Sequence, residues 1–416
     1  MEIAKLYKLF KSSNGITTDT RTIEDGSIFF ALKGANFNGN TFAKNALKQG
    51  ASFAIIDEKE FEISDKTIMV SNVLATLQEL ANFHRKQLKT PILSLTGSNG
   101  KTTTKELINA VLSKKFNTTA TVGNLNNHIG VPLTLLSFTE QTEFGIVEMG
   151  ANHQKEIEFL ANLTEPNYGY ITNFGKAHLE GFGGIQGVIK GKSELYSYIK
   201  ENSQKVFVNT NDTLQKELTQ GMNTISFGSS TQLTLSNPFL VLTYKNLEIK
   251  TNLIGEYNFS NLSAAIAIGE YFNIEASKIK EAIEEYVPTN NRSQIITKES
   301  TQIILDAYNA NPTSMVAALN NFDKTIAEKK IIILGDMFEL GESSDFEHQE
   351  IVNKVEQLEF SEIHLIGKHF EKTKASKANL HPTFEAFRNL FTPKKAAYLI
   401  KGSRGMALER TLELFD

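Results

Sequence analysis

The run Thr96-Gly97-Ser98-Asn99-Gly100-Lys101-Thr102-Thr103-Thr104 holds the residue types needed to grip a polyphosphate. Glycines at 97 and 100 let backbone N–H groups approach an oxyanion, and a helix opening at Lys101 adds the partial positive charge of its N-terminus. Lys101 can neutralise terminal phosphates, and the Thr102 hydroxyl can ligate Mg²⁺. The run follows an apolar strand candidate, Ile92-Leu93-Ser94-Leu95, and precedes apolar positions Leu107, Ile108, Val111 and Leu112 at helical spacing. Position 95 is Leu where the common G-x-x-x-x-G-K-[ST] loop has its first glycine, so the loop is of the shorter T-G-x-x-G-K-T type. Gly97, Ser98, Asn99, Gly100, Lys101, Thr102 and Thr103 are the nucleotide-binding residues this predicts. ATP is expected rather than GTP, because the central segment has no N-K-x-D guanine signature.

Three other side chains could complete such a site. Glu148 follows Ile146-Val147 at the end of a strand candidate, Phe144 to Met149, which would put a carboxylate at the carboxyl edge of the sheet. A glutamate there is more often a solvated rim residue, but beside a phosphate loop it can bind Mg²⁺ directly or through water. His178, in Thr172-Asn173-Phe174-Gly175-Lys176-Ala177-His178-Leu179-Glu180, also follows a strand candidate and could face the same site. A lone histidine is usually structural, and hard cations prefer oxygen ligands. Lys192, in Lys190-Gly191-Lys192-Ser193-Glu194, lies early in an amphipathic helix, where a lysine is expected to be solvated.

These residues need a frame of strands and helices. Residues 1–88 mix short apolar runs, Ser27 to Leu32 and Ala51 to Ile56, with a helical stretch from Val73 to Gln87, and read as a small N-terminal α/β domain. The Lys89-Thr90-Pro91 step breaks that helix. Residues 89–289 alternate strands (Tyr168 to Asn173 and Lys205 to Asn209 among them) with helices, which implies a parallel sheet covered on both faces: a central P-loop domain. Residues 290–416 repeat the grammar with strands at Gln302 to Leu305, Lys330 to Leu334, Glu362 to Ile366 and Ala397 to Ile400, and read as a C-terminal Rossmann-like domain whose loops face a ligand. The fold class is therefore α/β in three domains, a number that suits 416 residues.

Composition excludes several functions. Lys+Arg 43 against Asp+Glu 47 gives a net charge of -4, without the basic surface that nucleic-acid binding needs. The absence of cysteine rules out disulfides, thiolate metal sites and a cysteine nucleophile. The opening Met1-Glu2-Ile3-Ala4-Lys5 is too polar for a signal peptide and no later apolar run could span a bilayer, so a cytoplasmic protein without membrane insertion is expected, as a monomer.

The order T-G-S-N-G-K-T-T-T-K-E, N-L-N-N-H-I-G-V-P, V-E-M-G-A, T-N-F-G-K-A-H, K-S-E and G-E-Y-N-F-S-N resembles that of the Mur ligases over nearly the whole chain. Asp306-Ala307-Tyr308-Asn309-Ala310-Asn311-Pro312 with Ser314-Met315, Leu334-Gly335-Asp336-Met337, Glu339-Leu340-Gly341 and Lys401-Gly402-Ser403-Arg404-Gly405-Met406 is similar to the family member that joins D-alanyl-D-alanine to UDP-N-acetylmuramoyl-tripeptide. The resemblance implies an ATP-dependent peptide ligase of peptidoglycan precursor synthesis, working through an acyl phosphate with ATP and two Mg²⁺.

It implies catalytic roles for Lys101, Lys192, His178 and Arg292. Thr102 and Glu148 would hold one Mg²⁺ and His178 a second, with Lys192 carbamylated. Asn258 and Asn261 would approach adenine, Arg292 the phosphates and Asp306 the ribose. Thr18, Asp19 and Arg21 would lie near the uridine diphosphate in domain 1–88, and Asn309 and Asn311 where the dipeptide enters. Two departures stand out: Tyr257 replaces a family histidine, and Asn38-Gly39-Asn40 stands where D-G-H is common. The alternatives are a sibling ligase adding another amino acid, a folate polyglutamate ligase, and a non-ligase switch in which ATP only moves domains.

Overall fold

The computed structural model describes residues 2–288, 292–298 and 301–415, and its three α/β units are each built on their own sheet. The boundary expected at 289/290 falls outside the described residues. In the first unit four parallel strands, Ile16–Thr17, Ile28–Phe30, Phe53–Ile56 and Thr67–Met69, lie side by side in that order. The helix Val73–Leu88 starts where the Asn72 side chain accepts from Ala75 N–H and stops at Lys89, whose φ of 56° is left-handed. It joins the first unit to the second: Arg85 donates to the Thr164 carbonyl at 2.9 Å and the His84 ring bonds the Phe138 carbonyl at 2.8 Å.

The second unit carries the parallel sheet that strand and helix alternation predicts. Its order is Asn223–Phe227, Lys205–Asn209, Tyr168–Ile171, Ile92–Thr96, Phe144–Glu148, Thr118–Ala120. Leu95 pairs with Glu148 and Thr96 with Ile171, so three neighbouring strands end at one level. That register brings the phosphate loop, Glu148 and the segment from Thr172 together. Leu107, Ile108, Val111 and Leu112 are fully buried, as their spacing predicts, in one core with Leu262, Ala265 and Ile266 of the helix Asn258–Tyr271.

A second sheet in this unit, antiparallel Thr231–Leu235, Phe239–Tyr244 and Leu247–Ile254, departs from the purely alternating reading. Its signal is the two-residue turn Lys245-Asn246, both at positive φ, between strands in which Leu240, Leu242 and Tyr244 alternate inward.

The third unit has strands in the order Gln294–Lys298, Thr301–Asp306, Ala397–Lys401, Lys330–Gly335, Glu362–Ile366, Asn379–His381. The first pair is antiparallel and the rest parallel, and the two edge strands are additions to the four expected. Asp306 and Lys401 are register partners at adjoining carboxyl ends. No helix among the described residues is long and apolar enough to cross a membrane.

Candidate functional site

The phosphate loop is shaped as much by its neighbours as by any ligand. Gly97 has φ 142°, and a Cβ there would lie 2.0 Å from the Thr172 hydroxyl; Gly100 has φ 79°, and a Cβ there would meet Asn261 Oδ1 at 2.7 Å. Ser98 N–H donates to the Asn173 carbonyl at 3.0 Å, Ser98 Oγ to the Gly175 carbonyl at 2.8 Å, and Asn99 N–H to Asn173 Oδ1 at 3.1 Å. The segment after the strand Tyr168–Ile171 is thus the mould for the loop. Lys101, at the start of the helix Lys101–Leu112, donates to the Gly97 carbonyl at 2.9 Å. Burial pushes its pKa below the ordinary lysine value, the Glu148 carboxylate opposing and Arg292 reinforcing the shift.

Glu148 is not a solvated rim residue. It is 1% exposed, its N–H donates to Thr121 Oγ1 at 3.0 Å, and its Oε1 accepts from Asn126 Nδ2 at 2.7 Å. Its Oε2 is buried with no hydrogen-bond partner, a costly arrangement that a hard cation or its water would relieve. Thr102 lines the same cleft. Among the described residues no group of three or more His, Asp or Glu side chains could hold a metal alone. His178, at φ 53°, is paired through Nδ1 with Glu339 of the third unit, and it too lines the cleft.

Lys192 corrects its sequence reading as a solvated lysine. It sits in the middle of the helix Ile185–Glu201, is 0% exposed, donates to the Ala151 carbonyl at 3.0 Å and lies 5.0 Å from the centre of the Phe182 ring. Burial drives its pKa well below the usual lysine range, with Lys101 reinforcing and Glu156, Glu194 and Glu148 opposing. The signal was present: positions 188, 192, 195 and 199 recur at helical spacing, and Val188, Leu195 and Ile199 are all buried. Lys192 belongs to the inward stripe.

The third unit closes the cleft. The Arg292 guanidinium stacks 3.6 Å from the centre of the Tyr308 ring. Asp306 accepts from Lys401 Nζ at 2.6 Å and from Ser293 N–H at 3.1 Å, while Tyr257, the residue in place of the family histidine, shares a 2.7 Å hydrogen bond with Ser293 Oγ. Asn261 Nδ2 donates to Asn258 Oδ1 at 2.8 Å. Asn309 Oδ1 accepts from Ala310 N–H at 2.9 Å. Asn311 caps the helix Pro312–Asp323 in a reciprocal capping box with Ser314, and its Nδ2 donates to Asn99 Oδ1 at 2.7 Å. A single side chain therefore starts a helix of the third unit and ties it to the phosphate loop.

The cleft has a volume of about 800 Å³ and lies between the second and third units. Ser98 to Thr103, Glu148, His178, Asn258, Asn261, Arg292, Asp306, Asn309 and Asn311 all line it. Gly97 lies outside the lining, as does Lys192, which stands behind Ala151. Thr18, Asp19 and Arg21 are outside it too: Asp19 caps the short turn Thr20–Thr22 and pairs with Arg21 at 2.6 Å, which holds its carboxyl down at about 2. Sequence reasoning gave no role to Lys401, Tyr308, Asn126 or Glu339. Of these, Lys401 had the clearest signal in the sequence, since it ends an apolar strand as Glu148 does.

Comparison with known proteins gives three family-model matches: "Mur ligase family, catalytic domain" over residues 12–92, "Mur ligase middle domain" over 95–269 and "Mur ligase, glutamate ligase domain" over 291–410. The UDP-N-acetylmuramoyl-tripeptide--D-alanyl-D-alanine ligase of Bacillus subtilis is 32% identical over 422 residues, covering 96% of this chain and 92% of that one. A crystal structure of MurF from Acinetobacter baumannii superposes with TM-score 0.84 at 29% identity, covering 98% of both chains. The MurF ligase of Thermotoga maritima in complex with ADP superposes with TM-score 0.85 at 25% identity, covering 98% of this chain and 97% of that one.

Proposed function

The chain belongs to the Mur ligase family, and from that premise we propose that it joins D-alanyl-D-alanine to UDP-N-acetylmuramoyl-tripeptide at the expense of ATP. The product is the UDP-muramoyl-pentapeptide used in peptidoglycan synthesis. The observation that carries this reading is the meeting, in one cleft, of the phosphate loop, the bare oxygen of Glu148 and the third-unit groups Arg292, Asp306 and Asn309.

A carboxylate does not acylate an amine unaided. In the proposed sequence a tripeptide carboxylate oxygen takes the γ-phosphoryl group of ATP, releasing ADP. The dipeptide amine then attacks the acyl carbon, the carbon–oxygen bond to phosphate breaks, and phosphate leaves as the nitrogen loses its proton. Negative charge gathers on the phosphoryl and acyl oxygens throughout. Lys101 meets it by exchanging the Gly97 carbonyl for a phosphate oxygen, and Arg292, held flat on Tyr308, adds donors from the third unit. Mg²⁺ held by Thr102 and Glu148, with a second ion at His178, would supply further charge neutralisation.

Asp306 keeps lone pairs beyond its bonds to Lys401 and Ser293 for the ribose hydroxyls. Asn258 and Asn261 face the adenine, and Asn309 meets the dipeptide. Asn311 contributes by position, because its amide is used by the cap and by Asn99. The low proton affinity of Lys192 supports its carbamylation: a neutral amine can add CO₂, lose a proton and become an anion. Residues 1–88, with Thr18, Asp19 and Arg21, would hold the uridine diphosphate end, 89–289 the ATP and 290–416 the dipeptide. The need for ATP supports a cytoplasmic location for the reaction.

The test is phosphate release measured with ATP, D-alanyl-D-alanine and UDP-muramoyl-tripeptides ending in lysine or diaminopimelate. Release is expected only when both acceptor substrates are present. Equal ATP hydrolysis without them, and no amide product, would leave a nucleotide switch as the function.

A further inference from the structure

Lys176, two residues before His178, lines no part of the cleft, yet it joins three pieces of the molecule. On one side its segment is bonded to the phosphate loop, through Ser98 to the carbonyls of Asn173 and Gly175 and through the Thr172 hydroxyl to the Asn99 carbonyl at 2.6 Å. On the other side Lys176 itself meets the third unit twice. Its N–H donates to Thr313 Oγ1 at 3.0 Å in the helix Pro312–Asp323, and its Nζ to Glu347 Oε1 at 2.6 Å in the helix Ser344–Glu356. Gly175 is pressed between the two units, since a Cβ there would lie 2.9 Å from Asn99 and 3.1 Å from Thr313.

The Glu347 side chain is only 7% exposed, and an ion pair with a buried carboxylate is far more sensitive to separation than one in solvent. A second lysine bridge between these units, Lys324 to Glu256 at 2.7 Å, has both side chains about half exposed and makes a natural control. We propose that the Lys176–Glu347 pair holds the third unit seated on the phosphate loop, so that Lys176 is a positioning residue for phosphoryl transfer. Moving the third unit away strips the buried carboxylate of its cation and frees the segment that shapes Ser98 and Asn99. The pair therefore couples the seating of Arg292 to the form of the loop. This rests on the reading that turnover needs both units together.

The experiment is a charge-reversal cycle with Lys176→Glu, Glu347→Lys and the double variant. Because the chain has no cysteine, thiols introduced by Glu217→Cys and Lys372→Cys report the distance between the second and third units by fluorescence transfer with ATP bound. Each single reversal is expected to lower kcat about tenfold with KM for ATP changed less than about twofold, and to lengthen the label distance; the double restores most of both. Lys324→Glu should change neither. Lys176→Met and Glu347→Gln replace the reversals if those fail to fold, with the same losses expected. Unchanged kcat and distance in the singles, or a charge-reversed double that folds yet is no better than the worse single, would overturn the proposal. The distance readout needs no amide acceptor, so it tests the pair even if the assignment of the reaction fails.

Discussion

At the scale of single residues, the site is defined by which polar atoms are left without partners. Glu148 Oε2 is buried and bare while Oε1 is fixed by Asn126, so the carboxylate is held still with one oxygen to offer. Glu148→Gln keeps the shape and removes the charge; the Mg²⁺ concentration needed for half-maximal turnover is expected to rise at least about tenfold, read by titrating Mg²⁺ at fixed ATP. Lys101→Ala should lower ligation about a hundredfold or more with the fold retained, checked by circular dichroism and phosphate release. Near-normal ligation in that variant would sink the nucleotide assignment. If Lys192 is carbamylated as proposed, Lys192→Ala should lose most activity and recover part of it with added acetate, a small anion that fits the space the carbamate would fill. Full activity without acetate would remove the carbamate from the mechanism.

At the scale of elements, two helix caps separate stability from function. Asn72 and Asn311 each cap a helix, Val73–Leu88 and Pro312–Asp323, by accepting the N–H three residues on, but only Asn311 also bonds the phosphate loop. Each change to alanine should cost about 0.5–2 kcal/mol in denaturant unfolding, the usual loss for a cap. Asn311→Ala alone should also lower kcat; equal kcat in both variants would show that the bond to Asn99 contributes nothing to turnover. Buried polar contacts fix the loop that bears Glu339 in a similar manner. Met337 N–H donates to His348 Nε2 at 3.0 Å, His348 Nδ1 donates to the Ser344 carbonyl at 2.7 Å, and Asp336 accepts from Phe370 N–H at 3.0 Å.

At the scale of the whole molecule, the third unit is tied to the phosphate loop directly by Asn311 and through the segment 172–176 by Lys176, and these ties hold Arg292 close to Lys101 against their like charge. Arg292→Ala should therefore impair turnover more than ATP binding, which a comparison of kcat with the dissociation constant of ATP would measure. Global stability should fall in weak acid. Burial pulls the pKa values of His84, His348, His364 and His381 below the ordinary 6.5, against the backbone carbonyls of Phe138 and Ser344 and the carboxylates of Asp336 and Glu362. Between those lowered values and 6.5 the unfolded chain binds protons that the folded chain does not, so stability rises with pH across that window and is lost as pH falls through it. The thermal midpoint is expected to drop as pH goes from about 7.5 to about 5.5, and His364→Phe should reduce the drop. A flat profile would show that these imidazoles are not held neutral.

The loop from Gly97 to Thr103, its flanking strand and helix, the three α/β units and their central parallel strands were legible in the residues alone. Each rests on local physics: glycine at positive φ, apolar periodicity, the charge at a helix start. The family likeness then drew Glu148, His178 and Arg292 together. What the tertiary structure decided is whatever depends on segments distant in the chain. The burial of Lys192 needs Phe182 and the Ala151 carbonyl against one helix face. The use of Asn311 as both cap and bridge needs Asn99, and the pairing of Lys176 with Glu347 needs two units in contact. Propensity and periodicity are written within a few turns of chain, whereas burial and the pairing of charges are sums over neighbours brought from elsewhere, and only the folded arrangement supplies those neighbours.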